Sequence, residues 1–507
     1  VGQRRGTLGA AGGALLSVLC AAVLTAPAAL EPVAQVVMQA TPVAVANVLL
    51  QRLDPLLARS LALFGALALL LMVGGLLGML AASGPWGRGL ALLALGALTL
   101  GLAREAALLP ALAYAVGQAI PLLWPAGPSV PQAATGEGEG SRRAFLRHNL
   151  WVAGGAAATL GAAAGDAARR DRLPGLAGTE LFPFSPPPAR VEGFPVAGQS
   201  PEVTPVPQFY VVSKNAQDPL LDARFWRLSI GGLARERLTL SFDELRELPR
   251  QDAHVTLQCV SNPVGGSLMS HALWSGASLQ ELLQRAGPLP AAGRVVFRAP
   301  DGHEESVPLE VALLPENMIA YAMNGQLLTR LHGHPARALL PGLYGFKQVK
   351  WLSEVRLAPA AHQGYWPRRG WTDEATIRTT ARIDLARREG EGVRVAGMAL
   401  AGRRGISGVE VRLGAGSLGA GSLGAGSLGV GASWAPWTAA EAHHPALSDM
   451  TWVQWRALLR LPAGAPAGAQ LAVEARAVDG EGRPQSPEPS GPYPNGASGY
   501  HRMAVKG

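Results

Sequence analysis

Only two of the 507 residues are cysteine, Cys20 and Cys259, and that scarcity removes several kinds of chemistry at once. Cys20 stands in an apolar run and Cys259 in the more polar half, so no disulfide is expected between them. The chain has no Cys-x-x-Cys, no Cys-x-x-Cys-His and no Cys/His zinc spacing, which leaves no place for a c-type haem, an iron–sulfur cluster or a zinc finger. Any cofactor must need at most one protein thiolate. Charge is scarce as well: 16% of residues are Asp, Glu, Lys or Arg, against about 25% in an ordinary soluble domain. The basic residues behind the net charge of +8 are scattered, and no basic helix carries interleaved aromatics, so a nucleic-acid partner is not expected.

Apolar residues make up the difference, at 48% of the chain, and they concentrate before residue 170. Residues 8–30 are nearly uninterrupted Ala, Leu, Val and Gly behind Arg4 and Arg5, and 61–82 is long enough to cross a bilayer. The apolar runs at 90–102, 109–124 and 150–165 are shorter. Together they suggest about four or five membrane spans, because whole turns lack the charge that a soluble bundle would show. Between the last two, Ser141-Arg142-Arg143-Ala144-Phe145-Leu146 reads either as a twin-arginine export signal or as a positively charged anchor flank. Both readings put Arg142 and Arg143 in the cytoplasm and everything after residue 165 outside. Arg52, Arg59, Arg169 and Arg170 then fall on the less favoured side.

Four regions are expected: transmembrane helices over 1–125, a linker with the paired arginines and a further span over 126–208, and two folded parts at 209–378 and 379–507. In the first folded part Phe225–Ile230 alternates like a strand. Ser241 and Glu244 have capping-box spacing at the head of a helix through Leu248. Val255-Thr256-Leu257 is a β run ending at Cys259. Ser278 caps a Leu-rich helix, and Val295–Phe297 and Val349–Val355 read as further strands, giving an α+β domain. From about Thr379 the pattern is all-β: Val393–Leu400, Val409–Leu413, Trp452–Leu461 and Leu471–Val478 alternate between Gly/Pro turns, as in a sandwich. Gly-Ala-Gly-Ser-Leu, repeated from Gly414 to Leu428, is too short a period for a solenoid and reads as an expanded hairpin tip.

Cys259 ends its strand and runs into Val260-Ser261-Asn262-Pro263-Val264-Gly265-Gly266, a turn that presents the thiol at the sheet's rim. On spacing alone it is a buried hydrophobe more often than a reactive group. His271, His303, His332 and His334 are available as partners, but none stands at a diagnostic distance along the chain.

Gln258–Asn262, with Ala272-Leu273-Trp274-Ser275-Gly276 behind it, resembles the metal-binding stretch of the sulfite oxidase family. Ala320–Gly325, His332-Gly333-His334-Pro335-Ala336-Arg337 and Val349–Leu352 are similar to that family's pterin-binding stretch, and Gly499-Tyr500-His501-Arg502 to the end of its C-terminal domain. The likeness runs in order from about Phe209 to the C-terminus and leaves the first 140 residues untouched.

The resemblance implies a molybdopterin-binding oxidoreductase domain at 209–378 and an immunoglobulin-like dimerisation domain at 379–507, hence a homodimer. It implies a molybdenum–molybdopterin cofactor, with Cys259 as the one protein ligand of the metal. It assigns pterin contacts to Tyr210, His332, Arg337, Gln348, Val349 and Lys350, and a hydroxyl beside the metal to Tyr321. A phosphate wants Arg and Lys, and a soft metal wants a thiolate. There are two departures. Animal members carry an arginine five residues after the metal cysteine, where this chain has Val264. Lys214 stands where the entry motif has an arginine before Asn215. Lys214 is taken with Cys259 and Tyr321 into the expected catalytic set.

The function expected from the resemblance is two-electron oxygen-atom transfer, with sulfite oxidised to sulfate. The family's haem domain is not found, so electrons would pass to an external carrier, a cytochrome or the quinone pool. Two rival readings are reduction of a sulfoxide-type substrate on the same scaffold and a non-catalytic membrane receptor. The expected location is the cell membrane, multi-pass, with the catalytic part on the extracytoplasmic side.

Overall fold

A computed structural model describes Phe194 and residues 196–215, 218–415, 433–461 and 470–505. The spans expected over 1–125 and 150–165, the paired arginines and the Gly-Ala-Gly-Ser-Leu repeat beyond Ala415 lie outside those residues. Among the described residues no helix is long and apolar enough to cross a membrane. By compactness the chain divides into Val1–Leu173 with Ser213–Asp218, and Pro174–Val212 with Pro219–Gly507. Nearly all described residues belong to the second unit, which holds the α+β and the all-β parts together.

The α+β part runs β1 (Arg227–Gly232), β2 (Leu238–Ser241), α1 (Phe242–Glu247), β3 (Arg250–Gln258), β4 (Met269–Ser278) and α2 (Leu279–Ala286). It continues through β5 (Arg294–Arg298), β6 (Glu304–Pro308), α3 (Leu309–Ala312), β7 (Met318–Met323), β8 (Gln326–Leu327), β9 (Arg337–Leu339) and β10 (Glu354–Ala358). Helix α1 starts where its capping box predicts: Glu244 N–H donates to Ser241 Oγ at 3.2 Å, and Ser241 N–H to Glu244 Oε2 at 2.7 Å. Helix α2 is N-capped by Ser278 and stops at Gly287, whose φ of +65° suits only glycine well.

These strands make two sheets. One has the order β2-β1-β10-β5-β6, with β1 parallel to β10 and its other neighbours antiparallel. The other has the order β3-β4-β7-β8, with β9 also paired to β7. A main core of Leu228, Ile230, Phe242, Leu282, Phe297, Ile319 and their neighbours lies on one face of the second sheet. A smaller core of Val255, Leu257, Ala272, Trp274, Met318 and Ala320 lies on the other. The expected strand Val349–Val355 is corrected: only the stretch from Glu354 is a strand, because Trp351 adopts φ +54° and breaks extended backbone there.

The all-β part comprises β11 (Thr380–Glu389), β12 (Gly392–Leu400), β13 (Ile406–Ala415), β14 (Ser433–Trp434), β15 (Thr438–Ala439), β16 (Glu441–Ala442), β17 (Val453–Arg460), β18 (Leu471–Asp479) and β19 (His501–Ala504). Two sheets, β11-β12-β17-β16 and β14-β13-β18-β19 with β15 on β13, share a core that includes Val395, Val411, Trp455 and Val473. Alternating strands with one buried face can satisfy that face only in such a two-layer packing. A seam binds the two parts: Thr256 N–H donates to the Met450 carbonyl at 3.0 Å, and Trp452 N–H to Thr256 Oγ1 at 2.9 Å. Ser448 Oγ donates to the His254 carbonyl at 2.7 Å, and Arg403 Nε to Glu316 Oε1 at 2.6 Å.

Candidate active site

Period-2 alternation along β3 sets Val255 and Leu257 on the face of the smaller core, and the same parity carries Cys259 past the strand's end. On that face β4 contributes Trp274. Strand β9 pairs with β7 at Ala320↔Arg337, so Arg337 emerges beside Ala320, its guanidinium 5.1 Å from the Trp274 ring centroid. Phe209 packs edge-on to both Trp274 (5.6 Å between centroids) and His332 (5.4 Å), and Tyr210 stacks against it. The segment is held by Tyr210 N–H donating to Ser270 Oγ at 3.1 Å.

Cys259 is 8% exposed. Its N–H donates to the Leu268 carbonyl, its own carbonyl accepts from Asn262 N–H, and Asn262 Oδ1 accepts from Leu268 N–H, which closes the turn after β3. Sγ lies 2.9 Å from Ser261 Oγ. Burial pushes the thiol pKa up, and the hydrogen bond from Ser261 opposes it. The three-residue 3-10 turn Gly345–Lys347 covers this point: a Cβ on Gly345 would stand 2.7 Å from Tyr210 Oη and 3.8 Å from Cys259 Cα. Tyr210 is raised above the ordinary phenol range, by burial first and then by Cys259, while Arg337 pulls it back. Tyr210, Cys259 and Arg337 therefore lie close together.

Arg337 is 5% exposed, and burial brings its pKa down to about 10. No carboxylate among the described residues neutralises it. Nη1 donates to the His332 carbonyl at 3.2 Å and Nη2 to the Gln348 carbonyl at 3.1 Å, while the buried Nε has no partner among the described residues. A buried guanidinium in that state lacks an anion, and a phosphate is the group whose oxygens match its fork. His332, pulled down to about 4 chiefly by burial, is neutral; its Nε2 must carry the proton, since its partner at 3.3 Å is the Val206 carbonyl. Lys350 donates to the Leu331 carbonyl at 3.0 Å and packs on Gly333, where a Cβ would stand 2.9 Å from the lysine's own. Beside His332 a cavity of ≈ 730 Å³ is lined by Val206, Phe209, Val211, Arg330 and Leu331, within the usual roughly 300–1,000 Å³ of small-molecule sites. An unpaired buried guanidinium, a flat aromatic wall and a lone thiol are a donor set that fits a pterin phosphate and a soft metal.

The sequence-expected residues divide. Tyr210, Cys259, His332, Arg337 and Lys350 converge. Gln348 contributes only its carbonyl, because its side chain bridges Leu340 (2.5 and 2.7 Å) and the Leu343 carbonyl (3.0 Å). Val349 is corrected: its side chain is in the main core and its carbonyl accepts from Ala338 N–H. Tyr321 is corrected too. It shares a face of β7 with Ile319, in the main core beside Phe242, and burial raises its pKa, with Arg250 at the far end of β3 opposing and Asp252 adding. Lys214 belongs to the other compact unit, where its ammonium donates to Asn215 Oδ1 at 2.9 Å. Sequence reasoning gave no role to Ser261, Gly345 or Lys347; the only signal for the last was Lys347-Gln348 standing in a largely apolar stretch that also holds Lys350.

The family model described as "oxidoreductase molybdopterin binding domain" matches residues 215–366. The chain is 33% identical over 150 residues to an uncharacterized oxidoreductase, YuiH, of Bacillus subtilis (strain 168), covering 30% of this chain and 74% of that one. It is 34% identical over 194 residues to the mitochondrial sulfite oxidase of Homo sapiens, covering 33% of this chain and 35% of that one, so it spans about a third of that relative's length. With nitrate reductase 1 (NADH) of Arabidopsis thaliana it shares 30% identity over 192 residues, 32% of this chain and 21% of that one. A solved structure, the sulfane dehydrogenase SoxCD of Paracoccus pantotrophus, superposes with a TM-score of 0.48 at 21% identity, over 61% of this chain and 82% of that one.

Proposed function

Because the chain belongs to the family of molybdopterin-binding oxidoreductases, we propose that Cys259 is the protein thiolate of its metal site. The chain is a molybdenum-dependent oxidoreductase and its cofactor is molybdenum–molybdopterin; the receptor reading falls with that. When bound, this cofactor supplies a two-electron centre that can exchange an oxygen atom with a substrate. The buried Cys259 sulfur loses its proton on bonding a soft metal, and the Ser261 hydroxyl 2.9 Å away donates to the resulting charge. Arg337 holds the pterin phosphate through the N–H that has no other partner, with Lys350 as a second cation and neutral His332 as a spacer that adds no charge. Tyr210 takes the part expected of Tyr321. Its raised pKa keeps the hydroxyl protonated beside the thiolate, where it donates to an oxygen of the substrate.

The reading rests on one observation: the buried Cys259 thiol, and the buried Arg337 that no carboxylate among the described residues neutralises, lie close to Tyr210. The proposed substrate is sulfite, by analogy with the relatives named for it, and electrons leave to an external cytochrome or the quinone pool. A second reading, reduction of a sulfoxide-type molecule, is favoured by Val264: a buried apolar side chain stands where an anion site would carry a guanidinium. We also read the N-terminal apolar segments as a multi-pass anchor in the cell membrane with the catalytic part outside. The β-rich part we read as an immunoglobulin-like module that pairs two copies. Steady-state assays of the purified chain with sulfite plus an electron acceptor, and with a sulfoxide plus a reductant, separate the two substrates. Cys259→Ser is expected to lower molybdenum per chain and turnover by more than about a hundredfold; full metal content in that variant would remove Cys259 from the site.

A further inference from the structure

The strip Tyr344–Lys350 touches both ends of the site, yet only a three-residue 3-10 turn gives it regular structure. At one end Gly345 closes on Tyr210 and Cys259; at the other the Gln348 carbonyl receives Arg337 Nη2 and Lys350 packs on Gly333. Between them Lys347 is wholly buried. Its three ammonium hydrogens have three acceptors: Glu305 Oε2 at 3.2 Å, the Ser306 carbonyl at 2.8 Å and Asp373 Oδ1 at 3.0 Å. Glu305, also wholly buried, accepts Trp366 N–H on its other oxygen at 2.8 Å. Arg294 completes the cluster, donating to Asp373 at 2.9 Å and to Ser306 Oγ at 3.1 Å. Two cations and two carboxylates thus meet behind the strip, with Lys347 and Glu305 wholly buried and Asp373 at the edge, 37% exposed.

Buried ion pairs are a poor source of stability, since well-packed apolar side chains of like volume do as well or better. What three directed bonds give that a methyl group cannot is one fixed position for the turn. We infer that Lys347 is a positioning residue of the molybdenum site. Anchored on Glu305, Ser306 and Asp373, it sets the Gly345–Gln348 turn so that Gly345 closes on Cys259 and Tyr210, and the Gln348 carbonyl aims Arg337. The inference rests on Cys259 and Arg337 holding the cofactor, as proposed above.

Lys347→Met alone strands the buried Glu305, so the deciding variant is the charge-balanced Lys347→Met/Glu305→Gln in the full chain. Thermal unfolding, molybdenum and pterin per chain, and the electron paramagnetic resonance signal of the metal are measured side by side. The expected result is an unfolding midpoint close to wild type, cofactor content down about tenfold or more, and a shifted signal in the loaded remainder. Lys347→Arg, which keeps a cation in place, is expected to recover part of the content. Wild-type content and an unshifted signal in the double variant would overturn the inference, and so would cofactor loss that merely tracks lost folding. A wild-type chain without molybdenum, or a Cys259→Ser variant that loads normally, would instead sink the reading beneath it.

Discussion

His501 stands in a motif that resembled the end of a C-terminal domain, and the structure gives it a local task. Its Nδ1 accepts Ile383 N–H at 2.8 Å, and its ring fills the space that a Cβ on Gly265 would need, in the turn that follows Cys259. A nitrogen that accepts must be unprotonated, and burial lowers its pKa to about 4. A base depressed in the folded state binds its proton more readily when unfolded. Its stabilisation is therefore complete above the ordinary value of 6.5 and is lost as pH falls toward 4. The full swing is about 3 kcal/mol. Urea unfolding at pH 5 and pH 7 is expected to show a smaller acid loss in His501→Gln than in wild type; an equal loss in both refutes the assignment. Glu305, raised to about 7 by burial, acts with the opposite sign, its contribution fading as pH rises from 4.5 through 7. The two effects partly cancel in wild type, and only the variant separates them.

At the scale of elements, β12 over Gly392–Leu400 and the capping box of α1 were legible because their patterns are local: alternation, and Ser with Glu three residues on. Tyr321 was placed beside the metal by resemblance alone; in β7 it alternates onto the same face as Ile319, in the main core. Val349–Val355 reads as a strand, but Gln348 just before it is tied to Leu340 and Leu343, and Trp351 turns left-handed. Those bonds are made eight and five residues away, beyond the reach of a periodicity argument. The turn makes its own prediction. Gly345→Ala drives a methyl against the Tyr210 hydroxyl, so molybdenum and pterin per chain are expected to fall about tenfold with secondary structure by circular dichroism unchanged. Full loading would mean the turn can yield.

For the molecule as a whole, the seam between the α+β part and the sandwich matters more than the boundary near residue 379 suggests. Thr256 uses both its N–H and its hydroxyl oxygen to hold Met450 and Trp452, on the strand that delivers Cys259. Thr256→Val leaves the buried Trp452 N–H without its acceptor, at a cost of about 1–3 kcal/mol. The expected outcome in denaturant is a lower midpoint in one transition shared by near-ultraviolet and far-ultraviolet signals. Two separated transitions in wild type would show that the parts unfold independently.

The sequence by itself determined the single-thiolate limit, the apolar composition of the first third and the α+β-then-β order of the rest; the grouping of Cys259, His332 and Arg337 came from the resemblance. The first three depend on composition or on short spacings along the chain. The tertiary structure alone decided that Tyr210 and not Tyr321 lies beside the thiol, that Gln348 gives only a carbonyl, and that Lys347 is buried against Glu305, Ser306 and Asp373. Those outcomes turn on which face a side chain leaves and which distant group meets it, and backbone register and packing fix both only once the sheets are assembled.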